Sequence, residues 1–350
     1  MNPSVSRREV LRALGATGAF AALSQYGLVR AQERRLVIPT YGGRYEKFWR
    51  EVLLPPFQQN TGLQPVLDIG VAGTFAANLR TTGPEKPVYS YLMANDVVGS
   101  VLRAEGFFEA WPVARVPNLK KVHAKANPDN NQGITVMFSP IGIAYRSDLM
   151  TTPPRSWKDL WDRPELKGKV GLYEITNTAG YSFLMTTSKI YGSGPFDFDA
   201  GFRQIERLKP FPQAALAGAL AVLLTRGEIT AGPLDIGETL TLKKKGVPVD
   251  WVAPAEGMFM FDQTFSLLKR GPNKDGAYAF LDYMLSEEVQ IKLAREFYAI
   301  PVNTTVKIPA DLAREVPFTV NDLDKILAFD WLEANKQRAA VIERWNRLSR

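Results

Sequence analysis

From about residue 35 onward, short apolar runs alternate with stretches whose apolar residues recur at helical spacing. The run Leu36 to Ile38 ends before a glycine pair. The apolar positions that follow it at helical spacing are Tyr45, Phe48, Trp49, Val52 and Leu53. The stretches Q-P-V-L-D-I-G and V-Y-S-Y-L-M-A predict two further strands, and a predicted helix follows each of them. This alternation of strands and helices indicates an α/β sheet.

Two loops that follow predicted strands contain the first candidate ligand-binding residues. Tyr41, Gly42 and Gly43 follow the first strand, and Asn95 and Asp96 follow the third. Open α/β sheets bind ligands outside the carboxyl ends of their strands, where the first turns of helices offer unpaired N–H groups. We therefore expect these five residues to face a ligand, although a tight turn alone would also explain the glycine pair.

A second α/β unit follows the strand-like stretch 133–148, and the final forty residues have the pattern of amphipathic helices. The strand V-G-L-Y-E leads into the loop I-T-N-T and a predicted helix, and later stretches return the chain through further strands. The candidate residues that follow the strand V-G-L-Y-E are Thr176, Asn177, Thr178 and Tyr181.

The N-terminal residues have the features of an export signal. Residues 1–31 contain S-R-R-E-V-L-R, then an apolar stretch too short to cross a bilayer, then small residues before Gln32. The adjacent arginines resemble the twin-arginine signal, which bacteria use to export folded proteins. We predict that residues 1–31 are a twin-arginine-type signal peptide and that the mature protein is periplasmic. An amphipathic helix belonging to the domain is the alternative.

The amino-acid composition excludes several kinds of functional site. Hydrophobic residues make up 45% and charged residues 23% of the chain, as in soluble globular proteins. The formal net charge is +7, but four arginines and one glutamate fall within residues 1–31, and no basic stripe indicates nucleic-acid binding. The chain has no cysteine and one histidine, His123. Disulfides and thiol chemistry are therefore excluded, and a zinc site or a serine-protease triad is strongly disfavoured. We expect no cofactor, no metal and no membrane insertion after signal cleavage.

Four stretches together resemble the periplasmic solute-binding proteins of ABC importers, in the polyamine-type (spermidine/putrescine) branch. They are Y-G-G-R-Y-E-K-F-W with P-F-Q-Q-N-T-G, S-W-K-D-L-W-D-R-P-E-L-K-G-K-V, G-V-P-V-D-W-V-A-P-A-E-G, and Y-A-I-P-V-N. The resemblance implies a monomer with a two-lobed type II periplasmic-binding-protein fold, in which two crossing strands act as a hinge. Lobe 1 would comprise residues 33–139 plus 259–305 and lobe 2 residues 140–258, with the helical segment 306–350 bracing both. Its partners would be a small-molecule ligand and the permease subunits.

Matched position by position, the resemblance also implies roles for individual residues. Asp262 stands where a polyamine binder has an acid, Met260 where it has an aromatic wall, and Asp235 where it has another aromatic. Ile175 and Thr178 replace an expected pair of acids. These departures favour a zwitterion, in which the two aspartates would hold the amine and the helix end at 176–178 would hold the anion.

The leading hypothesis is a binding protein without catalysis, specific for a cationic or zwitterionic solute that is polyamine-like or amino-acid-like. An exported hydrolase or lyase on the same scaffold remains open, with Asp235 and Asp262 as its acid–base pair. A carboxylate or ferric-ion binder is a further alternative. Ferric binders of this superfamily use neighbouring tyrosines, whereas Tyr89 and Tyr91 alternate on a predicted strand.

Overall fold

A computed structural model describes residues 34–316 and 318–348. The predicted signal peptide, residues 1–31, lies outside the described residues. The strands are β1 (Arg35–Thr40), β2 (Gln64–Ile69), β3 (Tyr91–Ala94), β4 (Phe108–Glu109), β5 (Ile134–Arg146), β6 (Leu172–Tyr173), β7 (Gln213–Ala214), β8 (Ala231–Asp235), β9 (Val249–Val252) and β10 (Phe259–Leu268).

The α-helices follow in chain order, with a π-helical turn at Trp49–Leu53 joining the first two. They are α1 (Arg44–Phe48), α2 (Leu54–Thr61), α3 (Ala72–Thr82), α4 (Asp96–Ala104), α5 (Asp159–Asp162), α6 (Thr178–Tyr191), α7 (Phe198–Arg207), α8 (Ala217–Thr225), α9 (Ile236–Lys244), α10 (Lys274–Met284), α11 (Glu287–Phe297), α12 (Ala310–Ala313) and α13 (Trp331–Leu348). Four 3₁₀ helices cover Pro117–Lys121, Ala124–Ala126, Pro164–Leu166 and Val320–Lys325. None of the described helices is long and apolar enough to cross a membrane.

The strands form one large sheet and two small parallel pairs. In the large sheet the order is β3-β10-β5-β8, with β4 also pairing with β10 and β9 also pairing with β5. Strands β1 and β2 pair in parallel, and β1 lies beside β3. Strands β6 and β7 form the other parallel pair.

Two strands cross between two hydrophobic cores. Ile134 at the start of β5 belongs to the first core, which contains β1, α10 and α11, whereas Ile143 further along belongs to the second. Strand β10 runs the opposite way, with Phe259 in the second core and Phe265 in the first. Because each core is a separate packed unit, β5 and β10 connect two lobes. The expected two-lobed α/β fold with crossing strands is confirmed.

The C-terminal part of the chain crosses between the same two cores. Leu323 and Ile326 pack in the first core, whereas Trp331 packs in the second. Residues 327–330 therefore form a third connection between the lobes. Only α12, the 3₁₀ helix Val320–Lys325 and α13 are helical in this part of the described chain, so it is less helical than its pattern predicts.

The loop before α6 shows how local sequence shapes the surface between the lobes. Asn177 caps α6, because its Oδ1 accepts the Ala179 N–H at 2.8 Å. Gly180 in the first turn has no room for a side chain, since a Cβ there would lie 2.2 Å from the Glu174 carbonyl oxygen. The helix can therefore begin directly after the short strand β6.

Candidate functional site

A cavity of about 860 Å³ lies between the two lobes. Lobe 1 contributes α4 and the loop 123–133, and lobe 2 contributes Ser182 of α6. The crossing strand β10 forms one wall through Met260, Asp262 and Thr264, which alternate with residues of the opposite face. Residues 327–332 of the third connection form another wall. Three of the sequence-predicted site residues, Asp96, Met260 and Asp262, therefore line one cavity.

Asp262 is the most buried acid of this cavity, with 3% of its surface exposed. Its Oδ2 accepts hydrogen bonds from the Asp96 backbone N–H and from the Thr264 hydroxyl, both at 2.9 Å. Burial, followed by the nearby Asp96 charge, raises the pKa of Asp262 to about 7, against the opposing effect of those two hydrogen bonds. A carboxyl that is desolvated in this way gains strongly from a nearby cation.

Asp96 is held by a neighbouring arginine. Its carboxylate pairs with Arg103 two turns further along α4, and the Arg103 guanidinium also lies 2.9 Å from Asp129. Burial raises the pKa of Asp96, while Arg103 opposes the rise. Gly133 leaves room for this guanidinium, because a Cβ at that position would lie 2.5 Å from Nη1. Arg103 thus fixes the loop 123–133 against α4 at the cavity edge.

The charge lining of the cavity is predominantly acidic. Its carboxylates outnumber its arginine and lysine side chains by five to two. Among the described residues that line it, His123 is the one histidine. The acids are Asp96, Asp129, Asp262, Asp324 and Asp330, and the cations are Arg103 and Lys125. Both cations are already engaged, because the Lys125 ammonium donates to the Ile326 carbonyl at 3.2 Å and Arg103 pairs with Asp96 and Asp129. Such a lining favours cationic ligands.

Aromatic rings reach the cavity from parts of the chain that the sequence did not single out. Phe259 lies at the start of β10, while Phe329 and Trp331 come from the third connection. The last two rings meet edge to face, with centroids 6.5 Å apart. Met260 has no ring, so these two aromatic rings provide flat apolar surface in the cavity. The stretch F-D-W was visible in the sequence, but only the crossing of residues 327–330 brings it to the site.

The loops that begin α4 and α6 meet directly across the lobes. The Asn95 side-chain amide donates to the Thr178 hydroxyl at 3.3 Å, and Asn95 Oδ1 is buried without a hydrogen-bond partner in the described chain. The Asn177 side-chain amide also donates to the Ala215 carbonyl. The Arg338 guanidinium donates to the Thr176 carbonyl. The capping oxygen of Asn177 therefore already occupies one N–H group that the expected anion site would use.

Tyr41 and Asp235 belong to a second polar group, around Tyr45 and Gln263. The Tyr41 and Tyr45 rings meet edge to face at 5.6 Å. Burial and then the Asp235 charge raise the pKa of Tyr45, while a hydrogen bond with Gln263 opposes the rise. Burial also raises the pKa of Asp235 to about 6, although its Oδ1 accepts the Glu238 N–H as the cap of α9. Burial and then the Asp262 charge raise the pKa of Tyr41, so this second polar group lies within electrostatic reach of the cavity acid Asp262.

The structure does not bring Asp235 and Asp262 face to face. Ile141 of β5 lies between Phe259 of β10 and Asp235 of β8, and Asp262 lies three residues further along β10. Strand spacing of about 4.8 Å and a rise of about 3.4 Å per residue then place the two Cα atoms roughly 14 Å apart. Of these two acids, Asp262 lines the cavity and Asp235 does not, so the described structure does not contain the expected pair of facing carboxylates.

Three further predicted residues differ in how they relate to the cavity. Tyr181 is fully buried in the lobe 2 core and its hydroxyl donates to the Ala334 carbonyl at 3.0 Å. Its ring therefore does not line the cavity. Gly42 and Gly43 are exposed beside the Tyr41 group, and Gly43 adopts a φ of 67° ahead of α1. Glycine adopts this backbone conformation without strain, which accounts for Gly43 without a ligand role.

An α/β protein with two lobes, strands that cross between them and an acidic cavity at their junction has the architecture of a solute-binding protein. Residues 92–328 match the family model described as bacterial extracellular solute-binding protein. This match covers more than half of the chain, so the chain belongs to that family. The binding function is thereby supported over the hydrolase and ferric-ion alternatives.

Individual relatives agree with this assignment. The chain is 24% identical over 253 residues to the spermidine/putrescine-binding periplasmic protein of Escherichia coli, covering 69% of this chain and 71% of that one. It is 24% identical over 239 residues to a putative 2-aminoethylphosphonate-binding periplasmic protein of Salmonella typhimurium, covering 65% and 68%. A solved structure of a putative extracellular solute-binding protein from Bordetella parapertussis superposes with a TM-score of 0.81 at 27% identity, covering 90% and 98%.

Proposed function

We propose that this chain is the periplasmic binding component of an ABC importer and that it captures a small solute bearing a protonated amine. The solute is cationic or zwitterionic and lies in the cavity between the lobes, with its amine against Asp262. An apolar portion of the solute packs on Phe259, Phe329 and Met260, which line the same cavity. Closure of the two lobes around the solute provides the form that the permease recognises.

The observation that carries this proposal is the uncompensated burial of Asp262. In the described part of the chain, the neighbours that shift its pKa are Asp96 and Thr264, and neither is a cation. A solute ammonium would replace the water that burial removes, and a charged hydrogen bond of this kind contributes about 1.5–3 kcal/mol. Asp96 lies beside it and adds to the negative potential.

The chemistry of named relatives points the same way. Spermidine, putrescine and 2-aminoethylphosphonate, named for the relatives above, all carry a primary amine. The three differ in what lies at the other end, which is a second amine or a phosphonate. An acid at Asp262 suits the shared amine, whereas the rest of the solute contacts the parts of the cavity where this chain has Met260 and Phe329.

We also infer that the protein performs no catalysis. The hydrolase alternative needs Asp235 and Asp262 to act on one bond, and a separation of roughly 14 Å between their Cα atoms does not suit a shared reacting group. Asp235 is further committed to capping α9. These features support a binding role for Asp262 and a capping role for Asp235.

The test is a thermal-shift series on the purified mature protein, unfolded and refolded to release any bound solute. The probes are putrescine, spermidine, 2-aminoethylphosphonate, γ-aminobutyrate, succinate and ferric citrate. A ligand at a hundred times its Kd adds about 2.7 kcal/mol of stability, which raises Tm by a few degrees. We expect at least one amine to produce this shift and succinate to produce none.

Asp262→Asn is the matched variant for this series. It keeps the side-chain volume and removes the charge, so the amine-dependent shift should disappear while the fold is retained. Asp324→Asn serves as the control, because Asp324 lines the same cavity but is 71% exposed. A response to succinate or ferric citrate alone, or an amine response that Asp262→Asn leaves intact, would contradict the proposal.

We propose that residues 1–31 direct export through the twin-arginine route and that the mature chain acts as a monomer. We also propose that residues 33–139 plus 259–305 and residues 140–258 move as two bodies, with 306–350 attached to both. Replacement of Arg7 and Arg8 by lysine should leave the protein in the cytoplasm, as judged by cell fractionation. Periplasmic recovery of this variant would exclude the twin-arginine route.

A further inference from the structure

Helix α13 is anchored on lobe 2. Its buried residues Trp331, Val341 and Trp345 belong to the second core. The Tyr181 hydroxyl of α6 donates to the Ala334 carbonyl at 3.0 Å, and this bond is buried. Arg338 lies over the Tyr181 ring, with its guanidinium carbon 5.2 Å from the ring centroid. Packing, a buried hydrogen bond and a cation–π contact therefore hold α13 to this lobe.

Helix α13 also packs against α4 of the other lobe, where the partly buried Val97 contacts the second core. The Asn335 side-chain amide donates to the Val97 carbonyl, in the first turn of α4, at 2.8 Å. Arg338, three residues further and on the same face of the helix, donates to the Thr176 carbonyl of lobe 2 at 2.9 Å. Two neighbouring side chains of one helix thus contact the loops that begin α4 and α6.

These contacts lie next to the direct bond between the lobes. Val97 is two residues beyond Asn95, and Thr176 is two residues before Thr178; Asn95 and Thr178 share the hydrogen bond across the lobes. Asn95 and Val97 move with lobe 1, whereas Thr178 and Asn335 move with lobe 2. Separation of the lobes at α4 therefore breaks both hydrogen bonds.

We propose that Asn335 is a positioning residue that holds the lobes together and sets the ratio of closed to open molecules. This inference rests on the proposed function, because a solute-binding protein works by changing that ratio. The chain at the start of α13 also forms a cavity wall, through Phe329 just before the helix and Trp331 at its first position. A solute that contacts this wall favours the position of α13 in which Asn335 reaches Val97.

The test measures the distance between the lobes without any ligand. The chain has no cysteine, so Val71→Cys in lobe 1 and Leu216→Cys in lobe 2, both exposed positions, accept spin labels for pulsed electron paramagnetic resonance. Asn335→Asp keeps the shape of the side chain but cannot donate to the Val97 carbonyl. We expect the closed-to-open ratio to fall by at least about two- to tenfold, the effect of losing one neutral hydrogen bond, because the carboxylate also repels the Val97 carbonyl oxygen.

Two variants of the same helix are the controls. Gln337→Ala changes an exposed residue and should leave the distances unchanged. Arg338→Ala removes contacts within lobe 2 only, so it should lower the thermal stability without altering the ratio. If Arg338→Ala opens the lobes as much as Asn335→Asp does, then α13 acts only as structural support and the proposal is overturned.

Unchanged distances in Asn335→Asp would also overturn the proposal, whatever the solute is. The result is separable from that of the thermal-shift series, because no ligand is present. A failure of every amine in that series would refute the proposed ligand class but would leave the distance measurement and its meaning for Asn335 unaffected.

Discussion

Asp262→Asn should stabilise the ligand-free protein while it destroys the proposed amine site. The folded protein raises the pKa of Asp262 from its ordinary value of 3.8 to about 7, chiefly through burial. The unfolded chain releases this proton near pH 4, whereas the folded protein holds it until about pH 7. The contribution of this group to stability therefore falls as the pH rises from about 4 to about 7.

The magnitude follows from the difference between the two pKa values. Each pH unit corresponds to 1.36 kcal/mol, so the burial of ionised Asp262 costs up to about 4 kcal/mol above pH 7. Asparagine is neutral at every pH and avoids this cost. The variant should thus exceed the original protein in stability by up to about 4 kcal/mol at pH 8, and the difference should vanish near pH 4.

Urea denaturation of both ligand-free proteins at pH 8 and pH 5 provides the measurement. With a slope of about 3 kcal/mol per molar urea, a gain of 4 kcal/mol shifts the midpoint by about 1 M. The exposed Asp324→Asn should change stability by no more than about 0.5 kcal/mol at either pH. If the midpoints of Asp262→Asn and the original protein differ equally at both pH values, Asp262 is not a desolvated acid and the reasoning fails.

Further predictions concern ligand affinity and the loop before α6. Calorimetric titration with whichever amine gives the thermal shift should show affinity falling about tenfold per pH unit below pH 7, because the cation binds ionised Asp262; a flat profile from pH 5 to 8 would contradict this. Asn177→Ala removes the cap of α6 and should cost about 1 kcal/mol in chemical denaturation, and an unchanged midpoint would show that the cap is dispensable. Gly180→Ala places a Cβ against the Glu174 carbonyl and should destabilise the protein by about 1–3 kcal/mol, whereas Gly73→Ala in α3, where nothing lies within 4 Å of the added Cβ, should be tolerated.

Periodicity and turn residues were sufficient to predict the α/β class, whereas the crossing strands were implied by the family resemblance. The long apolar run from Ile134 to Arg146 could be recognised because a strand buried on both faces needs apolar residues at almost every position. Asn95 and Thr178 were correctly placed at the starts of helices. These features depend on interactions between residues close in sequence, which local pattern records directly.

Tertiary structure decided which acids share a cavity and which aromatic rings accompany them. The family resemblance led us to expect that Asp235 and Asp262 would both hold the amine, but strand β5 separates them, and the capping of α9 engages Asp235. Phe329 and Trp331 reached the cavity only because residues 327–330 cross between the cores.

The roles of Tyr181 and Asn335 were likewise invisible in the sequence. Tyr181 follows the predicted binding loop closely, yet the rotation of α6 turns its ring into the core under α13. Asn335 lies 238 residues from Val97, the residue it contacts. The sequence by itself determined the elements, the junctions where a ligand can bind and the class of protein. Only the packing of distant segments decided the walls of the site, because contacts between residues hundreds of positions apart leave no periodic signal along the chain.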